Sequence, residues 1–127
     1  MLRIEMPLLT RSKKNSQQIL YNSKTHRPFV AQSKLYKEFE KACWQYLEPY
    51  SDKLIDYPIN LKCTFVVPDL RKRDISNLLN SIQDILVKYH VLKDDNYSIV
   101  KSLDGTRIIY QKGVEKTIIE ITKIEEN

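Results

Sequence analysis

Side chains that can bind phosphate and metal lie at both ends of one stretch of the sequence. Arg71, Lys72 and Arg73 run directly into Asp74, and Asp94 and Asp95 follow one helix length later. Guanidinium and ammonium groups bind phosphate oxygens by charge and by hydrogen bonds. Carboxylates that converge in space can hold a divalent cation against a phosphate oxygen. These residue types therefore predict a metal-dependent nuclease.

Asp74 also has a second interpretation. Aspartate is a preferred N-cap residue, and its carboxylate can accept hydrogen bonds from the backbone amides of the first helical turn. The pair Asp94-Asp95 favours metal binding, provided that the fold returns it to Asp74. In that case we expect the carboxylates of Asp74 and Asp95 to lie within about 5 Å of each other, given metal–oxygen distances of about 2.0–2.6 Å.

Hydrophobic periodicity defines the elements that must position these residues. Apolar residues at helical spacing predict one helix over 33–48, capped by Ser33, and a second that begins at Asp74. Residues 8–31 show no periodicity and are predicted to form a long surface loop, with room for a short strand near 28–30. Alternating apolar residues predict strands over 2–6, 59–67, 97–103, 107–111 and 117–124.

The order of these elements predicts the fold class. A strand, a loop, a helix, a strand, a helix and then further strands indicate an α/β protein, in which a mixed sheet packs with two main helices. Asp104-Gly105 predicts a turn between two of the late strands. The length of 127 residues fits a single domain over residues 1–127.

Composition limits the classes of function. The formal net charge of +5 permits an anionic partner, although a solvated basic surface would give the same value. Cys43 and Cys63 have no metal-ligand spacing and are interpreted as buried thiols of a reduced, cytoplasmic protein. No apolar run is long enough to span a membrane. Only Gly105 and Gly113 are present, so a glycine-rich loop for a nucleotide cofactor is not expected.

The central motif resembles a known family. The run Pro68-Asp69-x-Arg71-x-Arg73-Asp74-x-x-Asn77-Leu78, followed by Asp84, Leu86 and Asp94-Asp95, is similar to the RusA family of Holliday junction resolvases. An early segment with Pro7, Ser12, Lys13, Lys14 and Asn15 resembles the proline-and-basic loop of that family. The resemblance implies a homodimer of phage or prophage type that cleaves four-way DNA junctions with Mg²⁺ or Mn²⁺, in DNA recombination and repair.

The resemblance also implies roles for individual residues. Asp74 and Asp95 fall on catalytic, metal-binding positions of the family, and Asp94 is a further candidate ligand. The second catalytic aspartate of the family falls on Ser76, and a helix lysine falls on Asn80. The residues expected to bind DNA are Lys13, Lys14, Arg71, Lys72 and Arg73.

The substitution at Ser76 leaves two functions open. Serine can coordinate a cation through its hydroxyl or through water, but it supplies no negative charge. Asp94 either shifts inward to compensate or remains an exposed neighbour of Asp95. The first interpretation is an active junction-resolving nuclease. The alternative is a weakened or inactive RusA-like protein that binds DNA and has a regulatory role.

Aromatic and histidine side chains give few further candidates for functional residues. Tyr36 and Tyr46 are predicted to lie in the core, whereas Trp44 lies off the main apolar stripe and is a candidate for the dimer interface. His26 and His90 stand alone and are assigned structural or surface roles.

Overall fold

The computed structural model describes residues 1–13, 17–32 and 34–125. These ranges contain two α-helices, a short 3-10 helix over Glu48–Tyr50, and strands in two sheets. The helices are α1 (Lys34–Leu47) and α2 (Ile75–Lys88). The strands are β1 (Leu2–Met6), β2 (Gln17–Tyr21), β3 (Pro28–Gln32), β4 (Ile59–Val67), β5 (Val100–Ser102), β6 (Arg107–Tyr110) and β7 (Lys116–Lys123).

A five-stranded mixed sheet forms the centre of the fold, which confirms the predicted fold class. β7 lies between β1 and β4 and is antiparallel to both. β5 and β6 both pair with the opposite edge of β4 and run parallel to it. β4 is therefore the central strand, and its residues 63–67 are buried without interruption. The basic residues and Asp74 follow directly after this buried central strand.

Both helices contribute to the same hydrophobic core as the sheet. α2 buries an apolar stripe of leucine and isoleucine side chains, each worth about 1.5–3 kcal/mol when removed from water. α1 buries Tyr36, Phe39, Cys43 and Leu47, and Tyr46 is partly buried against the core. The helix bounds agree with the periodicity within a residue or two, and Ser33, the expected cap, lies outside the described residues.

The C-terminal end of α2 turns the chain back towards the helix. His90 adopts a left-handed conformation with φ of 62°. Its N–H donates to Val87 O at 3.1 Å, and the Val91 N–H donates to Leu86 O at 2.9 Å, which is the hydrogen-bond pattern of a Schellman motif. Val91 and Leu92 then enter the core. The acidic pair that follows is consequently held beside the last turns of α2.

The short strand expected near residues 28–30 is confirmed as β3, but the predicted loop over residues 8–31 is wrong at β2, the strand that pairs with it. β2 and β3 form a separate antiparallel hairpin, in register from Gln17↔Gln32 to Tyr21↔Pro28. The connecting turn is closed by a hydrogen bond from His26 N to Asn22 O at 2.8 Å. Alternation of apolar and polar residues in a sequence indicates a strand that has one face on a hydrophobic core. A two-stranded sheet outside the main sheet need not carry that signal.

The turn at Asp104-Gly105 is confirmed, but it does not reverse the chain. Gly105 has φ of +89°, and the Thr106 N–H donates to Leu103 O at 3.1 Å. Because β5 and β6 both run parallel to β4, the turn interrupts one edge strand. The Asn60 side chain spans the interruption by accepting from the Asp104 N–H at 2.8 Å.

Two further sequence predictions concern the cysteines and membrane-spanning segments. Cys43 and Cys63 are both free and buried, as predicted. Among the described residues, no helix is both long enough and apolar enough to cross a membrane.

Candidate functional site

Asp74 lies at the mouth of a basic cleft at the N-terminal end of α2. One carboxylate oxygen, Oδ1, accepts a hydrogen bond from the Ser76 N–H at 3.1 Å and another from Ser76 Oγ at 2.6 Å. The N-cap interpretation is therefore confirmed. The helix dipole also favours a negative charge at this end of α2. We call the surrounding pocket the N-terminal cleft; it is lined by Leu9, Thr10, Arg11, Ser12, Arg71, Lys72, Arg73, Asp74 and Leu78.

Arg73 braces the loop that leads into this cleft. Its Nη1 donates to Asp69 Oδ1 at 2.9 Å, and it also lies 3.2 Å from the carbonyl oxygens of Asp69 and Arg71. Its side chain is only 15% exposed, whereas that of Arg71 is 85% exposed. The hydrogen bond from Arg73 lowers the pKa of Asp69. Arg71 and the exposed Lys72 are thus the more accessible cations of this cluster.

Asp95 lies in a second cleft, beside the C-terminal half of α2. We call this pocket the C-terminal cleft; it is lined by Lys13, Glu40, Asp84, Val87, Lys88 and Asp95. Lys13 Nζ lies 3.5 Å from Asp84 Oδ2, and Lys88 forms an ion pair with Glu40. Asp84 and Lys88 have the spacing of a helical ion pair, but in the structure each binds a partner from another segment.

The environments of Asp94 and Asp95 shift the pKa values of their carboxyl groups in opposite directions. Burial raises the pKa of Asp95, and the carboxylate of Asp84 raises it further. Asp94 is exposed, and hydrogen bonds from the Asp95 N–H at 2.7 Å and Asn96 Nδ2 at 2.9 Å lower its pKa. The Asp94 carboxylate is therefore hydrogen-bonded within its own turn, as expected for an exposed neighbour of Asp95.

One chain does not bring Asp74 and Asp95 together. Asp74 caps the start of α2, whereas Asp95 shares a cleft with residues of its last turns. A 14-residue helix is about 20 Å long. The expected approach to about 5 Å within a single chain is therefore wrong, because the Schellman turn returns the acidic pair to the C-terminal end of α2. Within the described ranges, no three carboxylate, histidine or cysteine side chains form a metal-binding group.

The segment 10–13 connects the two clefts along α2. Thr10 is buried and its hydroxyl lies 2.6 Å from that of Thr117. The Lys13 N–H donates to Ser81 Oγ at 3.0 Å, and Ser81 Oγ donates to Asn77 O on the same helix. Lys13 therefore lies near Asp95 and not in the Arg71 cluster. Lys14, another predicted DNA contact, lies outside the described residues.

Among the charged residues that line these clefts, sequence reasoning missed Arg11 and Glu40. Arg11 lines the N-terminal cleft; its position in the early basic segment was the available signal. Glu40 reaches the C-terminal cleft from the other helix, and no sequence pattern connects it to Asp95. Asn80, which replaces the family lysine, is exposed on α2. Trp44 contacts the Tyr89 ring, with centroids 5.1 Å apart; its role at a dimer interface stays a prediction.

Comparison with known proteins identifies a relative. A protein named crossover junction endodeoxyribonuclease RusA, from Aquifex aeolicus (strain VF5), is 37% identical to this chain over 81 residues. The match covers 64% of this chain and 62% of that relative, so the chain spans somewhat less than two thirds of the relative. No family model matches the chain. The similarity to RusA that the central motif indicates is thereby confirmed.

Proposed function

We propose that this chain is a RusA-type endodeoxyribonuclease that cleaves four-way DNA junctions by metal-dependent hydrolysis. The proposal rests on one juxtaposition, in which Asp74 lies in the same cleft as Arg71 and Lys72, in a relative of RusA. The basic side chains would hold the phosphate backbone, and the carboxylate would hold a cation next to it. Its role would be in DNA recombination and repair, in the cytoplasm of a bacterium that carries a phage or prophage.

The donor atoms available suit Mg²⁺ or Mn²⁺. Both are hard cations that prefer carboxylate oxygens, and we assign Asp74 and Asp95 as the ligands. When bound, the cation would act as a Lewis acid towards a phosphate oxygen. Burial and the nearby Asp84 both disfavour the charged form of Asp95. A cation placed at Asp95 would offset both effects.

A homodimer would complete the site. Asp74 and Asp95 line separate clefts about one helix length apart, so a cation cannot bridge them within one protomer. In the proposed dimer, Asp74 of one protomer faces the partner subunit's Asp95, and twofold symmetry gives two such sites. Two symmetric sites would suit a junction in which two opposed strands are cut.

The first experiment measures cleavage of a labelled four-way junction with Mg²⁺, with Mn²⁺ and with a chelator, beside a linear duplex of the same sequence. We expect junction-selective nicking that the chelator abolishes. Asp74→Asn should abolish nicking without unfolding α2, because asparagine is an equally good N-cap. Nicking that persists in the chelator would refute the metal-dependent mechanism.

Subunit mixing tests whether the site is shared between protomers. Asp74→Asn and Asp95→Asn proteins are each expected to be inactive. A mixed dimer of the two would contain one site with both aspartates intact and one site with neither. Mixing should therefore restore nicking at one strand. If both ligands belonged to the same protomer, every site in the mixed dimer would lack one aspartate, and no activity would return.

The alternative of a DNA-binding protein without cleavage is favoured by one observation. Ser76, which stands at the position of a family aspartate, donates its hydroxyl to Asp74 and adds no charge. Tight, junction-selective binding with no cleavage in either metal would support this alternative over the nuclease.

A further inference from the structure

Leu70 is an apolar side chain placed in the middle of the basic loop over residues 69–73. It is 79% exposed, and its neighbours are Asp69, whose carboxylate binds Arg73, and the exposed Arg71. A single exposed leucine is common on protein surfaces. The unusual feature here is its position, because it stands between the end of the central strand β4 and the cleft that contains Asp74.

Hydrogen bonds brace the backbone on both sides of Leu70. Arg73 Nη1 contacts the Asp69 carboxylate, the Asp69 carbonyl and the Arg71 carbonyl, so it ties together both flanks of Leu70. The Arg71 N–H also donates to Asp69 Oδ1 at 3.1 Å. On the strand side, the Gly113 N–H donates to Pro68 O at 3.1 Å. Because the backbone of this loop is already braced, burial of Leu70 against a partner would order little additional backbone.

The charge around Leu70 indicates what that partner is. Arg71 and Lys72 are exposed beside it, and Arg11 lines the adjoining cleft. A protein partner that buried Leu70 would have to desolvate these cations or supply carboxylates for them. A nucleic acid supplies closely spaced phosphates for such cations and stacked bases between them.

We propose that Leu70 is a wedge that enters the base stack at the centre of the DNA junction. The inference rests on the function proposed above. Apolar side chains such as leucine can enter between adjacent base pairs and partly unstack them, which costs a few kcal/mol per base step in continuous duplex. Bases at the point of strand exchange are stacked but do not lie in a duplex that is continuous on both strands, so this cost is lower there. Leu70 would thereby select the junction centre, while Arg71 and Lys72 hold the flanking phosphates.

The test uses a four-way junction with 2-aminopurine at the point of strand exchange, bound to the intact protein in Ca²⁺ or without metal. Unstacking raises the fluorescence of this base. We expect wild-type protein to raise it and Leu70→Ala to lose most of the rise. Junction affinity should fall less than about tenfold, because the basic side chains still bind the phosphates. Leu70→Met, which keeps the length and apolar character, should retain the rise.

Leu35→Ala is the matched control, because Leu35 is an exposed leucine (55%) on α1, outside the basic loop. An equal loss of fluorescence in this control would overturn the assignment to Leu70. An unchanged rise in Leu70→Ala would overturn it as well. A Leu70→Ala protein that becomes monomeric in sedimentation would instead place Leu70 in the dimer interface.

The readout separates this inference from the proposed function. Fluorescence is measured on binding, so it remains informative if the protein binds junctions without cutting them. If wild-type protein cuts the junction but causes no rise, the wedge is wrong and the nuclease stands. If wild-type protein does not bind the junction at all, both proposals fail.

Discussion

The hydroxyl of Ser76 donates to the same oxygen of Asp74 that caps α2, so position 76 adjoins the proposed metal ligand. We predict that Ser76→Asp strengthens Mg²⁺ binding and increases nicking. Without metal, two carboxylates in contact would repel each other and lower the melting temperature; Mg²⁺ should restore it. Thermal melts with and without Mg²⁺ measure this difference.

Ser76→Ala serves as the control, since it removes the hydroxyl and adds no charge. Its melting temperature should not depend on Mg²⁺ more than that of the wild-type protein. The benefit of Ser76→Asp should also disappear when Asp74→Asn is added. A shift in Ser76→Asp that is equal with and without metal would show only an improved interaction with the helix dipole.

Asp95 should destabilise the metal-free protein at neutral pH. Its pKa is raised in the fold above the usual value of 3.8, so the folded state binds its proton more tightly than the unfolded state does. The free energy of unfolding therefore falls as pH rises from about 3.8 through the raised pKa. Asp95→Asn should stabilise the protein at pH 7 by up to about 0.5 kcal/mol, since solvent screens a partly exposed group.

Urea unfolding at pH 7 and at pH 3 measures this effect. At pH 3 the gain from Asp95→Asn should largely disappear, because both states are then mostly protonated. Asp94→Asn is the adjacent control with the opposite sign, because the pKa of Asp94 is lowered. Its contribution is present above the unfolded pKa and is lost as pH falls through the folded pKa, so this variant should be less stable at pH 7. Equal shifts in the two variants would contradict the assignment.

At the scale of elements, the two arginines of the basic loop have different environments. Arg71 is open to solvent, and Arg73 hydrogen-bonds the loop itself. We predict that Arg71→Ala reduces the slope of log affinity against log salt by about 0.7–0.9 for each phosphate that Arg71 neutralises. Arg73→Lys should keep that slope but cannot form the forked hydrogen bonds of the guanidinium group. Its junction cleavage should therefore fall more than its affinity.

Binding titrations between low and moderate salt measure both slopes. Lys24→Ala, which removes an exposed cation on the β2–β3 turn, provides the control for total charge. If Arg73→Lys changes the slope as much as Arg71→Ala does, both side chains contact phosphate and the bracing role is wrong.

The two ends of α2 differ in how well sequence predicts them. Asp74 at the start is a preferred N-cap residue, and its cap forms as expected. A Schellman turn usually has glycine at its left-handed position, and such a glycine predicts the turn from the sequence. At the C-terminal end of α2, His90 occupies that position. Without that signal, the direction in which Asp94-Asp95 leaves the helix could not be predicted. This turn is one of the contacts that place Asp95 beside the C-terminal half of α2.

At the scale of the whole molecule, the mixed sheet and both helices could be predicted from the sequence, because each buries apolar residues at regular spacing. The separation of Asp74 and Asp95 depends on tertiary contacts, such as the hydrogen bond from Lys93 N to Ile55 O at 2.9 Å, which no local pattern encodes. The β2–β3 hairpin was missed for a related reason. It forms its own sheet, away from the core that produces hydrophobic alternation.

The proposed sharing of the site between two protomers would make activity depend on dimer formation. We predict that sedimentation gives twice the mass of the chain, and that nicking per protein molecule falls on dilution below the dimer dissociation constant. Adding inactive Asp95→Asn protein to a diluted wild-type sample should restore part of the nicking, because each mixed dimer would contain one complete site. Nicking that stays constant per molecule as the dimer dissociates would argue for a self-sufficient protomer.

The two cysteines make this chain well suited to site-selective chemistry. Cys43 and Cys63 are both buried, and burial raises the pKa of each thiol to about 12. Thiolates are the reactive form, so neither should react with a maleimide at neutral pH while the protein is folded. A cysteine introduced by Leu70→Cys would then be the accessible thiol, without removal of the native ones. A dye or a crosslinker placed there would test directly the proposed contact between the basic loop and DNA.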